Sequence, residues 1–256
     1  MSISEKLKAF SSTLLGRSCA AVILAGGSGS RFAEKGEKQA LPKQLVPILG
    51  VPMIIYSVRA FDACPLVREI VIVSRKEDIP AIKKVICDCT FTKPIKIVNG
   101  GKTRQESAMC GFNATSEGSA YVAIHDAARP LITPDAIEKV IKAAYHSKSA
   151  IAASPAVDTP KIVSSARTIK ERAPEREKLW MAQTPQVFER DLYRTCIYYA
   201  REKEFEATDD ASLLEFAGFY VKAVDTEILN LKVTHRRDLI LAEAMLRHRS
   251  ETEEIL

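Results

Sequence analysis

Over its first 155 residues this chain alternates short apolar runs with stretches of helical periodicity, and few architectures accommodate that rhythm. The runs at 20–24, 69–74, 95–98, 121–124 and 150–154 are rich in Val, Ile and Ala, the pattern of strands covered on both faces. Helical stretches lie between them at 52–62, 79–87, 103–115 and 134–147. The first has proline in its opening turn, and the last follows a Thr133 cap. The alternation predicts an α/β fold with a doubly wound, mainly parallel sheet. Ligands of such sheets sit beyond the carboxyl ends of the strands. Chemistry is therefore expected in the loops at 25–42, 99–102 and 125–130.

The rhythm breaks at 156–178, where two short β-like pieces (161–163 and 168–170) flank a polar turn. A lone hairpin cannot bury itself, so this segment should lean on something else, such as a second subunit. The α/β pattern then resumes with helices at 190–203 and 210–216, a strand at 220–224, a further strand near 230–233 and a final helix at 235–247. With no repeat and no linker composition, the reading is one domain, 19–250, carrying a protruding β-arm at about 156–178. Residues 1–18 form an N-terminal extension too broken by charge for a secretory signal.

Composition narrows the function classes. A net charge of +5 on 256 residues, with basic residues spread along the chain, suits a small polyanionic substrate and gives no nucleic-acid footprint. No apolar run approaches the roughly 20 residues a membrane span needs. The six cysteines have neither disulfide nor zinc spacing, so free thiols in a reducing, cytoplasmic setting are expected.

The loop after the first strand reads Ala25-Gly26-Gly27-Ser28-Gly29-Ser30-Arg31-Phe32. Glycine lets backbone amides approach phosphate closely and adopt positive φ. Arg31 is one candidate clamp on phosphates, and Lys43, fixed behind Pro42, is another. An ordinary strand-to-helix turn with a solvated Arg and Lys is the plainer alternative. A dinucleotide fingerprint would need glycine where Phe32 stands, and the gap to the next helix is too long, which argues against a dehydrogenase. Gly100-Gly101-Lys102-Thr103 looks like the end of a P-loop, but Lys96 occupies the required upstream glycine position. Asn99, Gly100, Gly101, Arg104 and Ser107 still fall at a strand end and in the first turns of a helix, where amides and hydroxyls can read a base or ribose.

His125-Asp126-Ala127-Ala128-Arg129-Pro130 follows a strongly apolar strand. Asp126 could ligate Mg²⁺ or a ribose hydroxyl, and Arg129 could hold an anionic substrate. Alternatively the two form an internal pair that braces the turn. No nucleophile–His set and no cage of clustered His and carboxylates appears, so a metal is expected to arrive with a nucleotide.

Taken together, AGGSGSRF, LPKQ, GGKTRQES, HDAARP, SPAVDTPK, LWMAQTPQVF, ATDDAS and NLKVTHRRDLILAE resemble the 2-C-methyl-D-erythritol 4-phosphate cytidylyltransferases, in family order from Ala25 to Glu243. The resemblance implies a Rossmann-like nucleotidyltransferase with a twisted sheet, homodimeric through the arm, using CTP and Mg²⁺. It assigns catalysis to Arg31, Lys43, Arg176 and Lys232, with Arg176 acting from the partner subunit. The cytidine and triphosphate pocket is assigned to Ala25, Gly26, Gly27, Gly29, Gly100, Gly101, Arg104 and Ser107. Substrate and metal contacts are assigned to Asp126, Arg129, Thr159 and Thr184. The sequence departs from the family at two points. Eleven residues separate Arg31 from Lys43, and Gly26 stands where alanine is common. Both traits resemble the related ribitol-5-phosphate cytidylyltransferases, which makes ribitol 5-phosphate the alternative acceptor. A catalytically silent nucleotide-binding module on the same fold is the other alternative, and it should have lost the four cations.

Overall fold

The computed structural model describes residues 17–27, 32 and 41–253. In chain order the elements are β1 (Cys19–Leu24), β2 (Pro47–Ile48), β3 (Val51–Pro52), α1 (Met53–Ala63), β4 (Val67–Ser74), α2 (Ile79–Cys87), β5 (Ile95–Asn99) and α3 (Arg104–Ala114). Then come β6 (Tyr121–Asp126), α4 (Pro134–Ser147), β7 (Ser149–Pro155), β8 (Ile162–Val163), β9 (Ile169–Glu171) and β10 (Trp180–Glu189). The chain closes with α5 (Arg190–Glu202), α6 (Asp210–Phe216), β11 (Lys222–Asp225) and α7 (Arg237–Glu253).

The central sheet has seven strands in the order β11-β7-β10-β6-β1-β4-β5. All neighbours are parallel except β10, which runs antiparallel between β6 and β7. Alternation along the strands sorts the helices into two layers. Ala21 and Ile23 of β1, with Ile70 and Ile72 of β4, pack against α1 and α4. Val22, Val71 and Val73 point to the other face and meet α3, α5 and α6. A third, smaller core joins Ile48, Met53, Leu131 and Val233 to Ala242 of α7.

Helix α3 lies almost directly on the strands because Gly111 has no side chain. A Cβ there would come 2.3 Å from Val22 Cγ1 and 2.6 Å from Val73 Cγ2. That close approach brings the helix start over the carboxyl ends of β1 and β4. The start itself is fixed by Thr103, whose hydroxyl accepts the Glu106 amide at 3.1 Å. Thr133 caps α4 in the same way, accepting from the Ala136 amide at 3.3 Å.

The predicted helices at 79–87 and 134–147 are found with those bounds, and the arm forms as a hairpin, with β8 and β9 antiparallel. Three expectations need correction. Residues 230–233 form no strand. Instead the Val233 amide donates to the Ala128 carbonyl at 2.8 Å, and Asn230 Nδ2 donates to the Thr184 carbonyl at 2.8 Å, so loops hold this segment. The last helix begins at Arg237 and not at 235, because the Asp238 carboxylate accepts the Thr234 and His235 amides at 2.7 and 2.8 Å and keeps them in a preceding turn. Strand β10 was not expected at all. Its middle is polar because Gln183 donates to Ser154 of β7, Thr184 bonds His125 and Asp126 of β6, and Gln186 bonds the start of α6.

Candidate active site

The ends of β1, β4, β5 and β6 open onto a cavity of about 450 Å³. Ala25, Gly26 and Gly27 form one wall, anchored where the Ala25 amide donates to the Val73 carbonyl at 2.7 Å. A Cβ on Gly27 would meet nothing within 4 Å, so this glycine leaves open a backbone face that a ligand can approach. Neither Gly26 nor Gly27 has positive φ, contrary to the expectation for the loop. Gly29 and Arg31 lie outside the described residues.

The opposite wall is the loop after β5 and the first turn of α3: Gly101, Lys102, Thr103, Arg104 and Ser107. Here glycine is demanded by crowding inside the protein. A Cβ on Gly100 would sit 2.7 Å from Ser107 Oγ, and one on Gly101 would sit 2.2 Å from Glu106 Cβ. The Gly101 amide donates to Ser107 Oγ at 3.2 Å, and the Lys102 amide donates to Glu106 Oε2 at 2.6 Å. Gly100 braces the loop through its amide, which donates to the Ser74 carbonyl at 2.8 Å, and does not itself line the cavity.

Asp126, the last residue of β6, forms the floor with its carboxylate between two cations. Lys232 Nζ lies 2.6 Å from Oδ2 and Arg104 Nε 3.5 Å from Oδ1. Burial alone would raise this carboxyl, but the Arg104, Lys232 and Arg129 cations outweigh it and hold it well below the usual range. Arg104 is itself shared. Its Nη1 lies 2.7 Å from the fully buried Asp210, which also accepts the Tyr193 hydroxyl at 2.5 Å. Burial would lower the Arg104 pKa, yet Asp210 and Asp126 together raise it, so the guanidinium stays charged.

Lys43 enters from a short 3-10 turn, Lys43–Leu45, behind Pro42. Its Nζ donates to the Val233 carbonyl at 3.0 Å, which brings it beside the segment that carries Lys232. Two ammonium groups, Lys43 and Lys232, from distant parts of the chain thus line the same cavity. Lys232 is matched by Asp126 at 2.6 Å, and a polyanion entering the cavity would meet both ammonium groups.

The remaining predicted residues fall elsewhere. Thr184 is buried behind Asp126, where its hydroxyl accepts the Asp126 amide at 3.0 Å and is shared with His125 Nδ1 at 3.0 Å. Arg129 is buried too, donating from Nη1 to the Asn230 carbonyl at 2.6 Å. The alternative of an Asp126–Arg129 ion pair is not found, because Asp126 takes Lys232 and Arg104 instead. Thr159 is exposed on the arm. Arg176, half-exposed, donates to the Val157 carbonyl at 3.3 Å and pairs with Glu177 at 3.6 Å. Neither Thr159 nor Arg176 reaches the cavity of its own chain.

His125 is fully buried, and burial pushes its pKa down to about 3, so the imidazole is neutral at physiological pH. Sequence reasoning missed Gln44, Arg75, Asp210 and Asn230. Arg75 was findable, since it is the first residue beyond β4, where a doubly wound sheet binds ligands. Asp210 and Asn230 organise other residues, and nothing local announces such a role. Among the described residues no group of three or more His, Cys, Asp or Glu forms a metal cage, and all six cysteines are free thiols. No helix of the described residues is long and apolar enough to cross a membrane.

Comparison with known proteins points one way. Residues 19–248 match the family described as IspD, 2-C-methyl-D-erythritol 4-phosphate cytidylyltransferase. A protein of that name from Caldanaerobacter subterraneus is 39% identical over 228 residues, covering 89% of this chain and 98% of the relative. Another from Synechocystis is 38% identical over 229 residues, covering 90% and 97%. Among solved structures, 4-diphosphocytidyl-2C-methyl-D-erythritol synthase from Anaerococcus prevotii superposes with a TM-score of 0.80 at 29% identity, covering 92% of this chain and 99% of that one. The 2-C-methyl-D-erythritol 4-phosphate cytidylyltransferase of Thermus thermophilus gives 0.71 at 28% identity, with 90% and 99% covered.

Proposed function

The chain belongs to the 2-C-methyl-D-erythritol 4-phosphate cytidylyltransferase family, and from that premise we propose that it transfers CMP from CTP to 2-C-methyl-D-erythritol 4-phosphate. The products are pyrophosphate and 4-diphosphocytidyl-2-C-methyl-D-erythritol. The observation that carries the reading is the meeting of Lys43, Lys232, Arg104 and Asp126 with the Ala25–Gly27 backbone around one cavity.

In the proposed step a phosphate oxygen of the acceptor attacks the α-phosphorus of CTP. The bond from that phosphorus to the bridging oxygen breaks, and pyrophosphate leaves with the electron pair. A phosphate monoester is already largely dianionic at neutral pH, its second pKa being about 6. No protein base is required, consistent with a His125 that is buried and neutral. The work left to the protein is positioning and charge stabilisation. Lys43, joined by Arg31 from the loop after β1, meets the charge that accumulates on the non-bridging oxygens and the leaving group. Asp126 is ionised and lines the cavity, which fits the one-carboxylate share that proteins usually give a nucleotide-borne Mg²⁺. Asp126 would hold that ion, which would neutralise phosphate charge. Lys232, which pairs with Asp126 at 2.6 Å, turns to the acceptor phosphate when that substrate binds.

The acceptor end needs more positive charge than Lys232 alone provides, and Arg176 is too far out on the arm to serve its own cavity. We assign Arg176 and Thr159 to the site of a second copy in a homodimer. Val157, Val163, Ile169 and Met181 are more than half exposed along and beside the arm, which supports that assembly. The test is pyrophosphate release with CTP, comparing 2-C-methyl-D-erythritol 4-phosphate with ribitol 5-phosphate. Release with the first acceptor alone is expected. Release with ribitol 5-phosphate alone would reassign the acceptor, and release with neither would overturn the reading.

A further inference from the structure

Arg75, a cation of the cavity, has no role in the scheme above. Arg75 is the first residue after β4 and lines the cavity beside the glycine wall. A Cβ on Gly26 would stand 3.8 Å from the Arg75 amide nitrogen and 3.9 Å from its Cγ, so the arginine stem lies along that backbone. The guanidinium is aimed by Asp78. Arg75 Nε donates to Asp78 Oδ2 at 2.8 Å, and Nη2 lies 2.8 Å from the same oxygen. Gln44, buried and adjacent to Lys43, donates to that oxygen through Nε2 at 3.4 Å.

This use of Asp78 is unusual for its position. It precedes α2 at the N-cap, where an aspartate commonly accepts amides of the first turn. Here its side chain makes no cap bond, and Pro80 has no N–H to offer. The buried carboxylate instead ties a cation on one side of the cavity to the turn that carries Lys43. The guanidinium keeps donors to spare, since Nη1 faces only the exposed Glu77 at 3.4 Å, a surface pair of little worth.

We propose that Arg75 is a further contact for the polyphosphate tail of the nucleotide, with Asp78 a positioning residue that holds Arg75 and the Lys43 turn in one geometry. The inference rests on the nucleotidyltransferase reading of the cavity. On binding, Nη1 exchanges Glu77 for a phosphate oxygen while Nε and Nη2 stay on Asp78.

Calorimetric titration of the full chain with CTP and, separately, with inorganic triphosphate tests this. Arg75→Gln should weaken both by about 10- to 100-fold, the scale of a charge-assisted hydrogen bond. Lys83→Gln removes the same charge from an exposed position on α2 and should leave both within about twofold. Asp78→Asn should weaken both ligands and also lower kcat, while the KM for the phosphate acceptor holds steady. In the Arg75→Gln background the same change should cost clearly less affinity, only the part carried by the Lys43 turn remaining. If Arg75→Gln binds triphosphate as the unaltered protein does, with its circular dichroism unchanged, the contact is refuted. If Asp78→Asn costs the same affinity with or without Arg75, the positioning role is refuted. Arg75-dependent triphosphate binding by a protein that releases no pyrophosphate would uphold the contact and sink the reaction.

Discussion

Lowering the pH from 7.5 to 5.0 should remove about 2 kcal/mol of stability through His125 alone. The imidazole is fully buried between Phe61, 5.1 Å away, and the Thr184 hydroxyl, and its pKa falls from 6.5 to about 3. A group whose folded pKa is depressed in this way stays neutral in the native state while the unfolded chain takes up a proton. Its contribution is complete above pH 6.5 and drains away as the pH falls from 6.5 toward 3. At pH 5 the folded imidazole is still neutral, so the loss depends on the unfolded pKa alone: 1.5 pH units at about 1.4 kcal/mol each. Asp126 titrates far lower, its carboxyl held down by its cations despite burial, and so adds nothing in this window. Urea unfolding followed by circular dichroism at pH 7.5, 6.0 and 5.0 measures the effect. His125→Asn keeps a partner for Thr184 and has no proton to gain. It should be less stable at pH 7.5 but should lose about 2 kcal/mol less than the unaltered protein on going to pH 5. Parallel losses in the two proteins would refute the argument.

Lys43→Ala should lower kcat by about 10²-fold or more, the scale for losing one preorganised charge donor; steady-state pyrophosphate release at saturating CTP measures it, and an unchanged kcat would remove Lys43 from the mechanism. Mixed dimers of Arg176→Ala and Lys43→Ala subunits should recover one competent site per dimer, since a Lys43-intact cavity then meets an Arg176-intact arm. Stable heterodimers without that recovery would return Arg176 to its own chain. Gly111→Ala should cost about 1–3 kcal/mol through overpacking against Val22 and Val73, read as a lowered thermal midpoint. A midpoint within error of the unaltered protein would mean that α3 can lift off the strands freely.

Much of this molecule was legible from its residues because the informative segments are local. Helix α4 announces itself with Thr133, Pro134 and a regular apolar stripe, and α2 with Pro80 and its own periodicity. The family resemblance drawn from eight short strings is borne out by the match over residues 19–248. Strand β10 escaped because period-two alternation fails where Gln186 must turn inward: its Oε1 accepts the Asp210 and Ala211 amides at 2.9 and 3.0 Å. The segment at 230–233 looked like a strand for the opposite reason. Val233 is buried and Leu231 partly so, but in the small core with α7 and not in the sheet. The sequence names Arg104, which lines the cavity, and Thr184, which lies behind Asp126, but not the buried partners that hold them. A string shows which residues carry charge, but Asp210 gains its meaning only when α6 is packed 106 positions away from Arg104.

Strand β10 also governs how the arm can vary. It is hydrogen-bonded along both edges, and the turn bearing Arg176 leads straight into its first residue, so the hairpin is mounted on the sheet like a bracket on a girder. One residue inserted between 180 and 183 would invert every face downstream or swing the whole projection to a new bearing. Insertions at the tip, 164–168, would change length and leave direction alone. Relatives of this chain should therefore drift in size at the tip and hold their count at the root.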